Sequence, residues 1–121
     1  MNQNQIEKIA KEIQGQVKGK VLFDEFSRGR YSTDASLYQI KPLGAVLPKD
    51  KNDVLKIMEY SQKQGISLLA RGGGSSQSGQ TVGESIVLDY SRHQNKILDF
   101  KVTIIKTGIF VSLAAYWGVI L

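Results

Sequence analysis

The chain has 121 residues, no cysteine and a single histidine, His93. The absence of cysteine excludes disulfides, thiolate metal sites and cysteine nucleophiles within this sequence. One histidine leaves little room for a zinc site, and the polar neighbours of His93 in "SRHQN" indicate a solvated surface residue. We therefore expect neither a metal site nor a catalytic residue of the hydrolase type.

The sequence also lacks a long continuous apolar run. Its start, "MNQNQIEKIAKEIQ", has no continuous apolar core and does not resemble a signal peptide, so a cytoplasmic location is the default prediction. The final fifteen residues, "TGIFVSLAAYWGVIL", carry no charge. A membrane span needs about 20 apolar residues, so we predict no span and interpret this segment as a buried strand and helix without their continuation.

Charge of one sign is not concentrated anywhere. The net charge is +5, but the lysines and arginines are spread along the chain, and "RGR" and "KDK" are among the densest groups. No stacking motif or basic recognition helix accompanies them, so we predict no nucleic-acid partner.

Apolar spacing predicts two helices. The first runs from Gln3 to Gln14 and ends at Gly15. The second begins after Asp50, whose side chain is placed to cap it, and ends at Gly65. Its buried stripe is predicted to contain Val54, Ile57, Met58 and Ser61, with Asp53 adding charge near the positive end of the helix.

The second helix lies between two apolar strands, "GAVLP" and "ISLLA", which predicts a βαβ unit with parallel strands and a right-handed crossover.

We expect a long structured loop over 21–43, with one helical turn around Ser32 to Leu37. "SIVLD" is a third strand, "KILDF" and "VTIIK" are two short strands joined at Lys101, and Val111 to Tyr116 starts a helix. No linker interrupts residues 1–121, so one domain is predicted.

Three consecutive glycines follow the second strand in "LLARGGGSSQSGQTVG". Glycines after a parallel strand lie at the carboxyl edge of the sheet, where open α/β folds bind ligands. Backbone amides without Cβ atoms, together with serine hydroxyls, suit a pyrophosphate. A plain flexible turn is the alternative.

Two better-known phosphate motifs fail here. The stretch from Gly74 to Thr81 matches the P-loop pattern except that Gln80 replaces the lysine that reaches the β and γ phosphates. The dinucleotide fingerprint fails because Gln77 stands where its third glycine belongs. A degenerate nucleoside-triphosphate loop is therefore a weaker alternative. Serine hydrolase chemistry is disfavoured, since no G-x-S-x-G elbow is present.

Several ordered motifs resemble the start of the FAD-linked oxidases of the vanillyl-alcohol oxidase and p-cresol methylhydroxylase type. Within that group the chain is most similar to the D-lactate, glycolate and D-2-hydroxyglutarate dehydrogenases. The matching features are Arg28 with Tyr31, Asp34-Ala-Ser36 with Tyr38, the frame of Pro42, Val46 and Pro48, the second helix, Arg71-Gly-Gly-Gly74, Gly79, and "VLDYSR".

The resemblance implies an α+β fold, the first subdomain of a p-cresol methylhydroxylase-type FAD-binding domain. It consists of a βαβ unit with short additional strands and an N-terminal helix. It also implies that FAD accepts a hydride from a 2-hydroxy acid. Ser75 and Ser76 stand near where some relatives carry the histidine that attaches FAD, so a noncovalent cofactor is expected. The residues expected to wrap the FAD pyrophosphate are Arg71, Gly72, Gly73, Gly74, Ser75, Ser76, Ser78, Gly79 and Gln80.

The sequence departs from the family by lacking the second flavin-binding lobe and the cap domain that supplies catalytic residues. We therefore expect a truncated first lobe that is not catalytic alone. The partners expected besides FAD are a second copy of the chain or the missing C-terminal part of the enzyme. The alternative is a noncatalytic folded remnant or interaction module that binds no cofactor.

Overall fold

The computed structural model describes residues 1–105 and 108–115, with side chains as far as Ile97. The elements in chain order are α1 (Gln3–Gln14), β1 (Lys20–Leu22), α2 (Glu25–Arg30), β2 (Gly44–Leu47), α3 (Lys51–Gln64), β3 (Leu68–Arg71), β4 (Ile86–Asp89), β5 (Ile97–Ile105) and β6 (Gly108–Ala115).

The first four strands form one mixed sheet in the order β1-β2-β4-β3. Strand β4 is parallel to both of its neighbours, β2 and β3, whereas β1 is antiparallel to β2. The predicted βαβ unit is therefore present, with β4 inserted between its two strands. Because β2, β3 and β4 run the same way, their carboxyl ends meet at one edge, where Arg71 is aligned with Asp89.

Helix α1 has the predicted bounds. Asn2 and Gln5 form a reciprocal capping box at its start, and the Gly15 amide bonds back to the last turn. Ile6, Ile9 and Ile13 form its buried stripe. The 3.6-residue period of these isoleucines places them on one side, so the helix is fixed to the sheet by a single apolar face.

Helix α3 also has the predicted caps. The Asp50 carboxylate accepts from the Asp53 amide at 3.1 Å, and Gly65 ends the helix with a φ of 65°. The predicted stripe is wrong at Met58, which is 52% exposed. Tyr60 is buried instead, and its hydroxyl donates to Glu12 of α1 at 2.7 Å. The packing of α1 against α3 determines which side of α3 is covered.

Asp53 does more than place charge near the helix start. Its carboxylate is buried and accepts from the backbone amides of Lys18, Gly19 and Lys49 at 2.9, 2.8 and 2.9 Å. The residue therefore joins α3 to the segment that follows α1 and to the end of β2.

The sheet has two unlike faces. The helix face is the side covered by α1 and α3, and it carries the large apolar core. The loop face is the opposite side, where Ala45, Val87 and Leu69 pack with Leu22 and Tyr31. The connection from β3 to β4 passes along the loop face, since a Cβ built on Gly83 lies 3.7 Å from Leu69 Cδ2.

Three predicted segments differ from the structure. The loop expected over 21–43 contains the last two residues of β1 and all of α2, and Ser32 to Leu37 is not helical. The two short strands expected around Lys101 are one strand, β5. The segment expected to start a helix at Val111 is strand β6 as far as Ala115, and its residue 116 lies outside the described residues. β-Branched and aromatic residues such as Ile109, Phe110 and Val111 favour extended structure when a pairing strand is adjacent, and β5 pairs antiparallel with β6.

Candidate functional site

The glycine loop, which we define as residues 72–81, leaves the carboxyl end of β3 and has no helix or strand. Two of its residues, Gly74 and Gly79, have φ values of 69° and 72°. Side chains with a Cβ rarely adopt this left-handed region, so the path of the loop depends on glycine at both positions. The predicted location at the sheet edge is confirmed.

The centre of the loop presents open backbone. Gly73 is exposed, and a Cβ built on it meets no heavy atom within 4 Å. Within the described part of the chain, the amides of Gly73, Gly74 and Ser75 donate to no protein acceptor. Consecutive amides without a protein acceptor are suited to an anion, and the open side of Gly73 leaves room for a diphosphate group to approach.

The second half of the loop is organised by Ser76. Its hydroxyl oxygen lies 3.3 Å from the Ser78 amide and 3.2 Å from the Gln80 amide, and accepts from both. The same hydroxyl donates to the Gln80 side-chain oxygen at 3.2 Å. Ser76 and Gln80 therefore shape the loop from within, while Ser75 and Ser78 are the exposed serines of the predicted set.

Arg71 points back into the protein. Its guanidinium carbon lies 5.4 Å from the centre of the Tyr31 ring, and its Nη1 donates to the Thr81 carbonyl at 3.2 Å. A Cβ built on Gly74 would overlap the same guanidinium. Arg71 thus packs against the glycine loop at Gly74 and connects the start of the loop to Thr81 at its end.

Tyr31 and Asp89 form the floor beneath the loop. The Tyr31 hydroxyl donates to Asp89 Oδ2 at 2.6 Å, and both residues are buried. Burial raises the pKa of Tyr31, and the bond to the Asp89 carboxylate raises it further. Asp89 Oδ1 also accepts from the Ser91 amide at 2.9 Å. This network fixes the end of β4 beside Arg71.

A second segment holds the far end of the loop. The Thr81 hydroxyl donates to Asp34 Oδ2 at 2.9 Å, and the Thr81 amide lies 3.4 Å from the same oxygen. Hydrogen bonds from Ser36 and Thr81 lower the pKa of Asp34 to about 2. The Tyr38 ring covers Gly79, because a Cβ built there would overlap the ring.

The predicted residues lie at the end of β3 and in the glycine loop, and they differ in their contacts. Gly73, Gly74 and Ser75 carry the open donors, whereas Arg71, Ser76 and Gln80 hold the shape. The sequence interpretation missed Thr81 as part of the site and gave no role to Asp34, Tyr31 or Asp89. Asp34-Ala-Ser36 had the spacing of a turn in which aspartate bonds to the amide two residues on, and that bond is present at 2.8 Å.

Two further features are absent from the described residues. These residues contain no group of three or more His, Cys, Asp or Glu side chains that could hold a metal ion. They also contain no helix that is long and apolar enough to cross a membrane.

A mixed α/β sheet with an amide-lined glycine loop at its carboxyl edge is typical of domains that bind the phosphates of a nucleotide cofactor. The family model for the FAD binding domain matches residues 42–114, which is more than half of the chain. The chain belongs to this family, and FAD is accordingly its cofactor.

Curated relatives agree with this assignment. The chain is 39% identical over 88 residues to D-2-hydroxyglutarate dehydrogenase of Pseudomonas putida, a match that covers 70% of this chain and 9% of the relative. It is 33% identical over 88 residues to the enzyme of the same name from Haemophilus influenzae, with the same coverage. The chain thus spans about a tenth of the length of these relatives.

Two solved structures share the fold. One is an alkyldihydroxyacetonephosphate synthase, with a TM-score of 0.62 and 19% identity over 78% of this chain and 21% of that chain. The other is BBE-like 1 of Physcomitrella patens, with a TM-score of 0.55 and 20% identity over 66% of this chain and 18% of that chain. The predicted fold class and the resemblance to FAD-linked oxidases are confirmed.

Proposed function

We propose that this chain is the first flavin-binding lobe of an FAD-dependent oxidoreductase acting on 2-hydroxy acids. The observation that carries the proposal is the row of open amides at Gly73, Gly74 and Ser75, in a chain of the FAD binding domain family. The substrate class is supported by relatives named D-2-hydroxyglutarate dehydrogenase. Residues 1–121 form part of one FAD-binding domain in this proposal, and the substrate site belongs to other parts of the enzyme.

The role of the loop in the reaction is to bind and orient. The amides of Gly73, Gly74 and Ser75 donate to the diphosphate oxygens, and the exposed Ser78 hydroxyl is a further donor. Arg71, Ser76 and Gln80 keep these donors in place. Bound FAD supplies a hydride acceptor for the oxidation of the hydroxy acid. No residue of this chain is assigned as the base or acid of that oxidation.

A titration with FAD, followed by flavin fluorescence, tests the cofactor role. The informative variant is Gly73→Ala, because the added methyl group meets no protein atom but lies where a diphosphate would approach the backbone. We expect the free energy of unfolding to stay within about 0.5 kcal/mol of the original. FAD affinity should fall at least tenfold.

Gly29→Ala is the matched control, since a Cβ built on Gly29 in α2 also meets no heavy atom within 4 Å. It should bind FAD as the original chain does. Equal FAD affinity in both variants would show that the loop is not part of the cofactor site. A folded chain that binds no FAD, alone or with the remaining enzyme segment added, would support the noncatalytic module instead. Acid precipitation should release the flavin, because the proposed attachment is noncovalent.

The proposal includes association with the remaining part of the enzyme or with a second copy. Support comes from exposed aromatic side chains: Phe26 is 75% exposed, and Tyr38, whose ring covers Gly79 of the loop, is 59% exposed. Light scattering of the chain alone and after addition of that segment would distinguish the two partners. The cytoplasmic location stays a prediction from the sequence.

A further inference from the structure

Thr81 is the point at which the two ends of the glycine loop are tied together. Its carbonyl accepts from Arg71 Nη1 at 3.2 Å, which connects it to the residue where the loop begins. Its hydroxyl and amide face Asp34 Oδ2 at 2.9 and 3.4 Å. A single residue therefore joins a guanidinium at the start of the loop to a carboxylate from a segment 47 positions earlier in the chain.

Besides this connection, the loop is restrained by the internal hydrogen bonds of Ser76 and by the contacts of Gly74 with Arg71 and of Gly79 with Tyr38. Ser75, Gln77 and Ser78 are exposed, and Gly73 meets nothing on its open side. A chain of this composition has high conformational freedom, and binding a ligand to it requires that freedom to be lost. Bonds that restrict the loop before the ligand arrives lower that cost and raise affinity.

The Asp34 segment is itself fixed. Asp34 Oδ1 accepts from the Ser36 amide at 2.8 Å, and the Tyr38 amide lies 3.1 Å from the Ser36 hydroxyl and donates to it. The Tyr38 ring then covers Gly79, two residues before Thr81. The carboxylate is thus presented to the loop by a turn with its own internal bonds.

We propose that Thr81 and Asp34 are positioning residues that clamp the glycine loop in its ligand-binding shape, with Arg71 acting in this clamp and not as a direct ligand of the phosphates. The inference rests on the proposed function, because it names the residues that prepare the site for FAD. It adds Thr81 and Asp34 to the site and gives Arg71 a different role from the one expected from the sequence.

The test compares Thr81→Val with Thr81→Ser in the full chain. Valine keeps the shape of threonine but removes the hydroxyl, whereas serine keeps the hydroxyl. We expect Thr81→Val to lose FAD affinity by roughly tenfold, the effect of one hydrogen bond to a charged group, and Thr81→Ser to stay within about twofold.

A second measurement on the free chain separates the clamp from the proposed function. Hydrogen exchange of the amides of residues 72–80 should become faster in Thr81→Val and stay near the original in Thr81→Ser. Thr33→Val is the matched control, since the Thr33 side chain is exposed and Thr33 joins the Asp34 turn through its backbone pairing with Gln39, which valine keeps. It should change neither exchange nor affinity.

Each outcome decides one of the two claims. If the original chain binds no FAD, the proposed function fails, while the exchange rates still decide whether the clamp exists. If FAD binds but Thr81→Val leaves both affinity and exchange unchanged, the clamp is overturned. If Thr81→Val does not fold, Asp34→Asn replaces it, because asparagine keeps an acceptor for Ser36 but removes the charge opposite Thr81.

Discussion

The two faces of the sheet are built from different kinds of side chain. On the helix face, Ile13, Ile57 and Ile86 are each no more than 1% exposed and pack with other large apolar residues. On the loop face, the fully buried residues are the smaller Ala45 and Val87, next to the Tyr31–Asp89 pair. This difference indicates that burial of apolar side chains on the helix face supplies most of the free energy of folding. The loop face uses directional polar contacts to set the shape of the site.

Ile57→Ala should have the largest effect on folding. Ile57 is 1% exposed at the centre of the helix face, and removing three buried carbons leaves a cavity. We expect the free energy of unfolding to fall by about 4 kcal/mol, measured by urea denaturation. FAD affinity of the fraction that stays folded should be unchanged.

Met58→Ala is the control for that change, because Met58 is the next residue of α3 and is 52% exposed. It should alter the free energy of unfolding by no more than about 0.5 kcal/mol. A large loss in Met58→Ala would mean that a partner or another part of the chain covers this side of α3.

Asp53→Ala tests whether polar contacts also contribute to the free energy of unfolding on the side of the sheet covered by the helices. The substitution leaves the amides of Lys18, Gly19 and Lys49 without their acceptor. We expect a loss of about 3 kcal/mol in the free energy of unfolding, since buried donors without partners are costly. Asp53→Asn, which keeps one carbonyl acceptor, should recover part of it. A loss below about 1 kcal/mol would mean that water replaces the carboxylate.

Tyr31→Phe tests the polar contacts of the loop face. It removes the donor to Asp89 but keeps the ring beneath the Arg71 guanidinium. We expect the free energy of unfolding to fall by about 2 kcal/mol, the range for a hydrogen bond to a charged acceptor. FAD affinity should also fall, in contrast to Ile57→Ala. If affinity is unchanged, the floor of the loop does not determine its shape.

Local signals were sufficient for much of the fold. The bounds of α1 and α3 could be read from apolar period and from capping residues, because both act within a few positions of the chain. Strands β2, β3 and β4 could be found as short apolar runs between turn residues. The glycine loop was recognisable because consecutive glycines interrupt regular structure and let the backbone approach a ligand closely.

The remaining features depend on contacts between distant segments. The choice between Met58 and Tyr60 on α3 depends on α1, and the bond from Tyr60 to Glu12 spans 48 positions. Strand β1 has only three residues and is defined by pairing with β2. Likewise, Thr81 shows no motif of its own, and its role appears only when Asp34 and Arg71 lie on either side of it.

The smallest effect concerns alkaline pH and the helix face. Burial raises the pKa of Tyr60 to about 12, and the Glu12 carboxylate adds to the shift. Because the unfolded tyrosine ionises near pH 10, the stability that Tyr60 contributes is complete below pH 10 and is lost between about pH 10 and pH 12. Tyr60→Phe should therefore flatten the decline in the free energy of unfolding over this window, measured by urea denaturation at each pH. An equally steep decline in the variant would mean that other groups cause the loss of stability at alkaline pH. The next variant to measure would then be Tyr31→Phe, because the pKa of Tyr31 is raised as well.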